Sequence, residues 1–410
     1  MKIIVHKGAK EIGGTCIEIQ GNSTRILLDL GKPLDPLSKP ISIASLKADA
    51  ILLSHAHLDH YGHVSKLPKT TVFMGALSKE IIEAIAVFTN GRGLRNKVET
   101  FVKDVPFKVG EFTITPFLVD HSIAEAFAFL IEKNNGCVLY SGDFRTHGYK
   151  AKVMQTLANK IRRPVDVLLM EGTCINRPES VFLQERDVFM DIRSRIADQK
   201  TASFLISSAT NIDRMKSAYM ACSDTGKLFA IDIFTAYMLE IMGRVSSKLP
   251  KLTSPHIRII SKKTLAKPYY MKIKGRREFR DFVKRIYNPK HAISAEDIIV
   301  DPQKYLVKVA PSHTMLLTQK MSADSAKPAV IYSMWRGYDS FEQFKKMRNI
   351  ELCYAHTSGH ASNVELLAFL KSIKPRQLVP IHTEKPDLFR TIFSRHADVV
   401  ELDDSGEISL

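Results

Sequence analysis

The sequence predicts an α/β protein in which an open, mainly parallel sheet is inserted into a first domain of paired strands. Three observations carry this. Apolar runs at period two, separated by turn residues, fill residues 2–30 and 98–140. From residue 183 the pattern changes to helix and strand in alternation. Four apolar strands lead into a His or Asp, and the last of them, residues 377–379 before His382, lies beyond the alternating stretch. The α/β stretch is therefore an insertion and not a tail.

Taken in order, residues 2–6, 15–19 and 25–29 read as strands, with a Gly21-Asn22 hairpin turn between the last two. Ala50-Ile51-Leu52-Leu53 is a short buried strand. Residues 77–88 carry Ile and Ala at helical spacing with Ser78 as the cap, and have packing as their only role. Strands resume over 98–118 and 126–140, with Asn134-Asn135-Gly136 as a turn, an order consistent with half of an αββα sandwich. Residues 165–170 form another buried strand, ending at Glu171. Helices are then expected at 183–199, 210–222, 234–245 and 276–287, and strands at 201–207, 227–233, 256–260, 313–318 and 329–333.

With 45% hydrophobic and 25% charged residues, the chain has the composition of a soluble globular protein with room for two domains. The apolar run at Met1 is too short for a signal peptide, and no stretch approaches the ~18 apolar residues of a membrane span. A cytoplasmic location without membrane contact is the expectation. Five scattered cysteines with no Cys-x-x-Cys pair fit reduced core residues better than a disulfide frame. The formal net charge of +16 favours polyanions, nucleic acid first.

The chemistry concentrates at Ser54-His55-Ala56-His57-Leu58-Asp59-His60-Tyr61-Gly62-His63. In an extended segment His55 and His57 point to one side and can share an ion; Asp59 and His60 follow where the chain turns into a helix and can reach a second. Buried or half-buried His and Asp in such density would repel or stay unsatisfied without a metal. Asp29, before Gly31, reads equally as a turn cap or as the residue that orients a ligand or a backbone amide.

This stretch resembles the His-x-His-x-Asp-His signature of the metallo-β-lactamase superfamily, with further ligand segments at Val119-Asp120-His121, Ser141-Gly142-Asp143 and Pro380-Ile381-His382. The inserted α/β unit, Glu171 before it and Ser358-Gly359-His360-Ala361-Ser362 at its exit resemble the β-CASP branch, which includes ribonuclease J enzymes and pre-mRNA cleavage factor subunits. His382 at the last motif looks like the RNA-acting members. Glu171-Gly172-Thr173 departs mildly from the branch's usual Glu-Ser-Thr, and the chain ends soon after His382 without the extra C-terminal domain of ribonuclease J proteins. That end leads to the expectation of a monomer or weak homodimer.

The resemblance implies an αββα sandwich over residues 1–178 and 355–410 with a β-CASP domain inserted at 179–354. It implies two zinc ions, or manganese where phosphate oxygens complete the shell: one at His55, His57 and His121, the other at Asp59, His60 and His382, bridged by Asp143. Asp59, Glu171 and His360 would carry catalysis, with His360 oriented by Glu171 as the acid for the leaving oxygen. The Ser358, Gly359 and Ser362 turn, at a helix start, would bind substrate phosphate, although capping explains Ser362 equally well. His63 lies outside the motif and reads as supporting or surface, and His6, His147, His256, His291, His313 and His396 as structural.

The function expected is hydrolysis of single-stranded RNA by a two-zinc phosphodiesterase, endonucleolytic, 5′-exonucleolytic or both. The alternatives are a DNA nuclease or small-ester hydrolase on the same scaffold, or a non-catalytic RNA-binding paralogue. No ligand of the motif is missing, which weighs against the last. The basic stretch from Lys262 to Arg277, with Tyr269-Tyr270 inside it, reads as a solvated loop face before it reads as a path for a single strand. Trp335, the only tryptophan, reads as a core aromatic before it reads as a wall of a cleft.

Overall fold

The computed structural model describes residues 1–134, 136–321 and 327–410. Asn135, part of the expected 134–136 turn, lies outside the described residues. The chain divides into two compact units, the first comprising Met1–Glu83, Gly93–Phe182 and Gly359–Leu410, the second Ala84–Arg92 and Leu183–Ser358.

The first unit is built on two seven-stranded sheets. One runs in the order Gly406–Ser409, Lys2–Lys7, Cys16–Gln20, Arg25–Leu28, Ala50–Leu52, Thr71–Gly75, Val98–Phe101. The other runs Asp398–Val399, Gln377–Ile381, Val167–Glu171, Gly136–Tyr140, Phe127–Lys133, Phe112–Leu118, Phe107–Val109. Strand alternation explains their stacking: Ile3, Val5, Ile17, Ile26, Leu28 and Leu52 from one sheet share a core with Ile114, Phe129, Val138, Leu169 and Val379 from the other. The alternate residues Leu27, Ile51, Leu168 and Leu378 are buried too, so both faces of the central strands are covered. This is the αββα arrangement.

The second unit holds a seven-stranded parallel sheet in the order Ala292–Ile293, Ile257–Ile260, Leu228–Asp232, Tyr305–Lys308, Ser203–Ile206, Ala329–Tyr332, Glu351–Tyr354. Its two faces carry separate cores. Leu205, Phe229 and Ile231 pack under the helices Glu185–Ala197, Ile212–Thr225 and Ile233–Met242; Phe204, Ile206 and Ala230 pack on the other side with Leu317 and Phe344. Near-continuous apolar strands follow from this two-sided burial. Arg214 and Glu185, 0% and 1% exposed in their side chains, form an ion pair of 2.9 Å beneath it.

Four expectations need correction. Residues 313–318 are not a strand; they lie inside the helix Pro311–Met321, and the strand of that region is Tyr305–Lys308. A short apolar run has no length by which periodicity can separate the two. Ser78 does not cap: the helix begins at Ala76, and the Ser78 amide donates to Glu125 Oε2 at 2.9 Å. The basic stretch forms the helix Lys263–Ile273 with Pro268 inside it. Trp335 is 50% exposed and not a core residue. Segment Ala84–Arg92 goes with the second unit because Phe88 packs among Phe234, Tyr237, Tyr269 and Phe279. Cys16, Cys137, Cys174 and Cys222 are buried free thiols and Cys353 is half-buried. Among the described residues no helix is long and apolar enough to cross a membrane.

Candidate metal centre

The motif leaves the strand Ala50–Leu52 as an extended loop and enters the short helix Leu58–Tyr61. The segment after Arg25–Leu28 braces that turn: Leu30 N donates to His60 O at 2.9 Å and Lys32 N to Leu58 O at 3.1 Å. Gly31 is required there, since a Cβ would fall 1.6 Å from the Asp59 carbonyl oxygen.

His55, His57 and His121 converge. Nδ1 of His57 lies 3.0 Å from His55 Nε2 and 3.1 Å from His121 Nε2. His121 donates its Nδ1 proton to Gly359 O at 2.6 Å, which leaves Nε2 as a lone pair. Burial, followed by the neighbouring imidazoles, pushes His55 and His121 well below the ordinary histidine range. His57 is pushed down to about 4, by burial above all, with Asp59 opposing.

A second cluster faces it. Asp59 Oδ2 is 3.3 Å from His382 Nε2 and 3.8 Å from His60 Nε2. Asp143 Oδ2 stands 3.0 Å from His60 Nε2 and 3.7 Å from His55 Nε2, and Asp143 Oδ1 3.8 Å from His382 Nδ1. Burial pushes both carboxyl groups up, but the imidazoles around them outweigh it and hold them below the ordinary carboxylate range. His60 donates its Nδ1–H to Asp29 Oδ2 at 2.7 Å, which leaves its buried Nε2 turned toward Asp143 and Asp59.

These residues fit metal ions. A buried nitrogen aimed at two carboxylates, and three imidazole nitrogens turned toward one another, need a proton or a cation between them, and metal ions meet both needs. Nitrogens bound at about 2.0–2.1 Å in a tetrahedron sit about 3.3 Å apart, close to the spacing of the histidine trio. Among the described residues, four groups of side chains have ligand atoms within 4.8 Å of one another: His55, His57 and His121; His55, His60 and Asp143; Asp59, His60 and His382; and Asp143, Glu171, His360 and His382.

His360 and Glu171 lie beside the centre. His360 Nδ1 is 3.0 and 3.2 Å from the two Glu171 oxygens and 3.8 Å from Asp143 Oδ2. Burial opposes the His360 charge, but Glu171 and Asp143 together raise it to about 9. The buried Glu171 carboxylate is itself held by the amides of Phe144 (2.9 Å) and Thr173 (3.3 Å). Ser362 is the N-cap of the helix Asn363–Ile373, in a reciprocal capping box with Glu365. Gly359 accepts from His121, and Ser358 ends the second unit. His63 stands outside all four ligand groups.

Asp29 takes the second of its two sequence readings, the orienting of a ligand and of a backbone amide: it accepts from His60 Nδ1 (2.7 Å), Ser54 N (2.7 Å), Ser54 Oγ (2.7 Å) and Tyr140 OH (2.6 Å). Sequence reasoning missed the other groups that hold the candidate ligands. Thr173 Oγ1 meets His382 Nδ1 at 2.8 Å. Glu365 accepts from Thr146 N (2.8 Å), His147 Nδ1 (3.0 Å) and Ser362 N (2.9 Å), which ties the loop after Asp143 to the segment carrying His360. The Ser362-x-x-Glu365 spacing was the available signal for this last residue.

Residues 24–201 match the family model of the beta-lactamase superfamily domain, and residues 353–390 that of the Zn-dependent metallo-hydrolase RNA specificity domain. The chain is 23% identical over 423 residues to the probable RNase MJ4 of Methanocaldococcus jannaschii, covering 94% of each. It is 22% identical to ribonuclease J 2 of Streptococcus pyogenes, covering 98% of this chain and 72% of that protein. A crystal structure of a protein of unknown function from Enterococcus faecalis V583 matches the fold with a TM-score of 0.76 at 19% identity, over 100% of this chain and 99% of that one. With the αββα unit, the inserted parallel α/β unit and the ligand segments in order, the chain belongs to the metallo-β-lactamase superfamily, in its ribonuclease J-like β-CASP branch.

Proposed function

We propose that the chain is a metal-dependent ribonuclease that hydrolyses phosphodiester bonds in single-stranded RNA. The observation that carries this is the convergence of His55, His57, Asp59, His60, His121, Asp143 and His382 beside a His360–Glu171 pair. The relatives' printed names, a probable RNase and ribonuclease J proteins, support the same reading.

His55, His57 and His121 would hold one ion, Asp59, His60 and His382 the other, with Asp143 between; the nitrogen-rich set favours zinc over manganese. Two such ions, when bound, lower the pKa of water toward neutrality and offset negative charge on the phosphodiester. The residues do the rest. Asp29, Thr173 and the Gly359 carbonyl fix the ring orientations of His60, His382 and His121. Glu171 holds His360 by Nδ1, so the proton delivered to the leaving oxygen is the one on Nε2. Gly359 and the Ser358 and Ser362 hydroxyls would take the substrate phosphate, with Ser362 doing so only through what its capping role leaves available.

The test is cleavage of end-labelled 5′-monophosphate single-stranded RNA and matched DNA, with and without chelator, beside Asp59→Ala. Chelator-sensitive RNA cleavage absent from the variant is expected, and the product ladder separates endonucleolytic from exonucleolytic action. A zinc-loaded protein that cleaves neither polymer overturns the proposal.

A further inference from the structure

The only tryptophan of the chain is held in the open. Trp335, in the turn after the strand Ala329–Tyr332, is 50% exposed, and Tyr338, three residues on, is 48% exposed. Leaving that much indole in water forgoes a large part of its burial free energy, so an exposed tryptophan asks for an explanation. Flexibility does not supply it. The ring lies against the Gly337 main chain, where a Cβ would fall 2.2 Å from its Cη2 atom, and Tyr338 meets it edge-on at 5.6 Å between centroids. Glycine at 337 is what lets the ring lie flat on the turn.

Between the two aromatics in sequence stands Arg336, also exposed. Its guanidinium carbon sits 3.8 Å above the Tyr354 ring and 5.7 Å from the Phe341 ring centroid. It has no carboxylate partner among the described residues. Stacking on a ring fixes the plane of the guanidinium while its charge stays available to an anion. A pre-set aromatic face with an unneutralised, planar cation next to it is the composition that binds a single-stranded nucleic acid: the base stacks, the phosphate pairs.

We propose that Trp335, Tyr338 and Arg336 form a base-stacking platform for single-stranded RNA in the second unit, with Trp335 taking a base and Arg336 a phosphate. The proposal rests on the reading of the substrate as RNA. Because Trp335 is the only tryptophan, its emission reports on this platform alone.

The experiment uses the full chain carrying Asp59→Ala, so that RNA stays intact, titrated with fluorescein-labelled oligouridylate and with an abasic ribose-phosphate polymer of equal length. Label anisotropy reads binding anywhere on the protein; Trp335 emission, followed with unlabelled polymer, reads stacking. Oligouridylate should quench Trp335 in step with the anisotropy rise, whereas the abasic polymer should bind more weakly and not quench. Trp335→Ala should weaken oligouridylate binding about 5- to 150-fold, the range of one base stacked on an aromatic ring, and Trp335→Phe should recover most of it. Arg336→Met should weaken both polymers alike, since it removes a phosphate contact. Oligouridylate binding with unchanged emission and an unaffected Trp335→Ala variant overturns the platform and leaves the RNA reading standing. No binding of either polymer removes the RNA reading and the platform with it.

Discussion

Asp29 is fully buried, and its carboxylate accepts from Ser54 N, Ser54 Oγ, Tyr140 OH and His60 Nδ1 at 2.6–2.7 Å. Its backbone is left-handed, φ +59°, a region asparagine enters readily, so Asp29→Asn keeps the turn. The substitution acts through one atom. With the amide oxygen facing Ser54 N, the amide nitrogen replaces Oδ2 and confronts Ser54 Oγ, Tyr140 OH and His60 Nδ1. The hydroxyls can rotate to accept. His60 can accept only by moving its proton to Nε2, the nitrogen aimed at Asp143 Oδ2 3.0 Å away. The lone pair that would bind metal is then lost. Changes to such partners of a metal-bound histidine lower affinity about 10- to 100-fold, or about 1.4–2.7 kcal/mol. The metal-free fold should lose about 1.5–3 kcal/mol for the lost charge-assisted bond. Zinc competition against a chromophoric chelator reads the first quantity, and guanidinium unfolding with chelator present reads the second. An Asp29→Asn protein that takes up zinc with the parent's affinity would refute the tautomer argument.

Other outcomes follow from the same geometry. His360→Ala should slow RNA cleavage about 10²- to 10⁴-fold, the usual worth of a positioned acid, with zinc content unchanged, while His382→Ala should lose both activity and part of the metal; a metal-deficient His360→Ala protein would show that His360 is a ligand and not the acid. Arg214→Ala should destabilise the chain by about 3–5 kcal/mol in chemical denaturation, because it leaves Glu185 charged and buried, whereas Arg214→Met with Glu185→Leu should recover much of the loss. Glu365 governs an acid limb of stability. Burial raises its pKa, but His147, Thr146 and the Ser362 amide outweigh this, and the folded value lies below the unfolded one. The unfolded chain therefore binds the proton first, and the Glu365 contribution, fully present above about pH 5, fades as pH falls through the folded pKa. In Glu365→Gln the denaturation midpoint should vary less with pH over that window; an unchanged pH dependence would count against the network.

The candidate metal loop was legible because the side chains that could hold an ion are local. His55, His57, Asp59 and His60 occupy six consecutive positions after a strand, where period two and one helical turn settle which side chains share a side. Most strands of the three sheets were legible for a related reason, since burial on one or two faces writes itself into alternation or a continuous apolar run; Thr71–Gly75, Tyr305–Lys308 and Glu351–Tyr354 were not read. Short runs carry no such record. Residues 313–318 could be strand or helix, and packing in the second unit made them helix. Exposure is no more local: Trp335 stands in an apolar-rich segment, yet Gly337 and the turn hold it at the surface.

By itself, the sequence determined most of the strand-and-helix order, the α/β stretch between Glu171 and His360, and the candidate ligand residues, because each depends on residue type and near-neighbour spacing. Only the tertiary structure decided which partner each donor has. The parallel pairing of Val167–Glu171 with Gln377–Ile381 sets Glu171 opposite Ile381, and so brings Thr173 to His382 across more than two hundred residues of chain. Asp29 reaching His60, and Glu365 reaching Thr146 and His147, depend in the same way on how separate segments meet. A hydrogen bond is made at about 3 Å and carries no periodicity, so its partner is settled only when the sheets have closed.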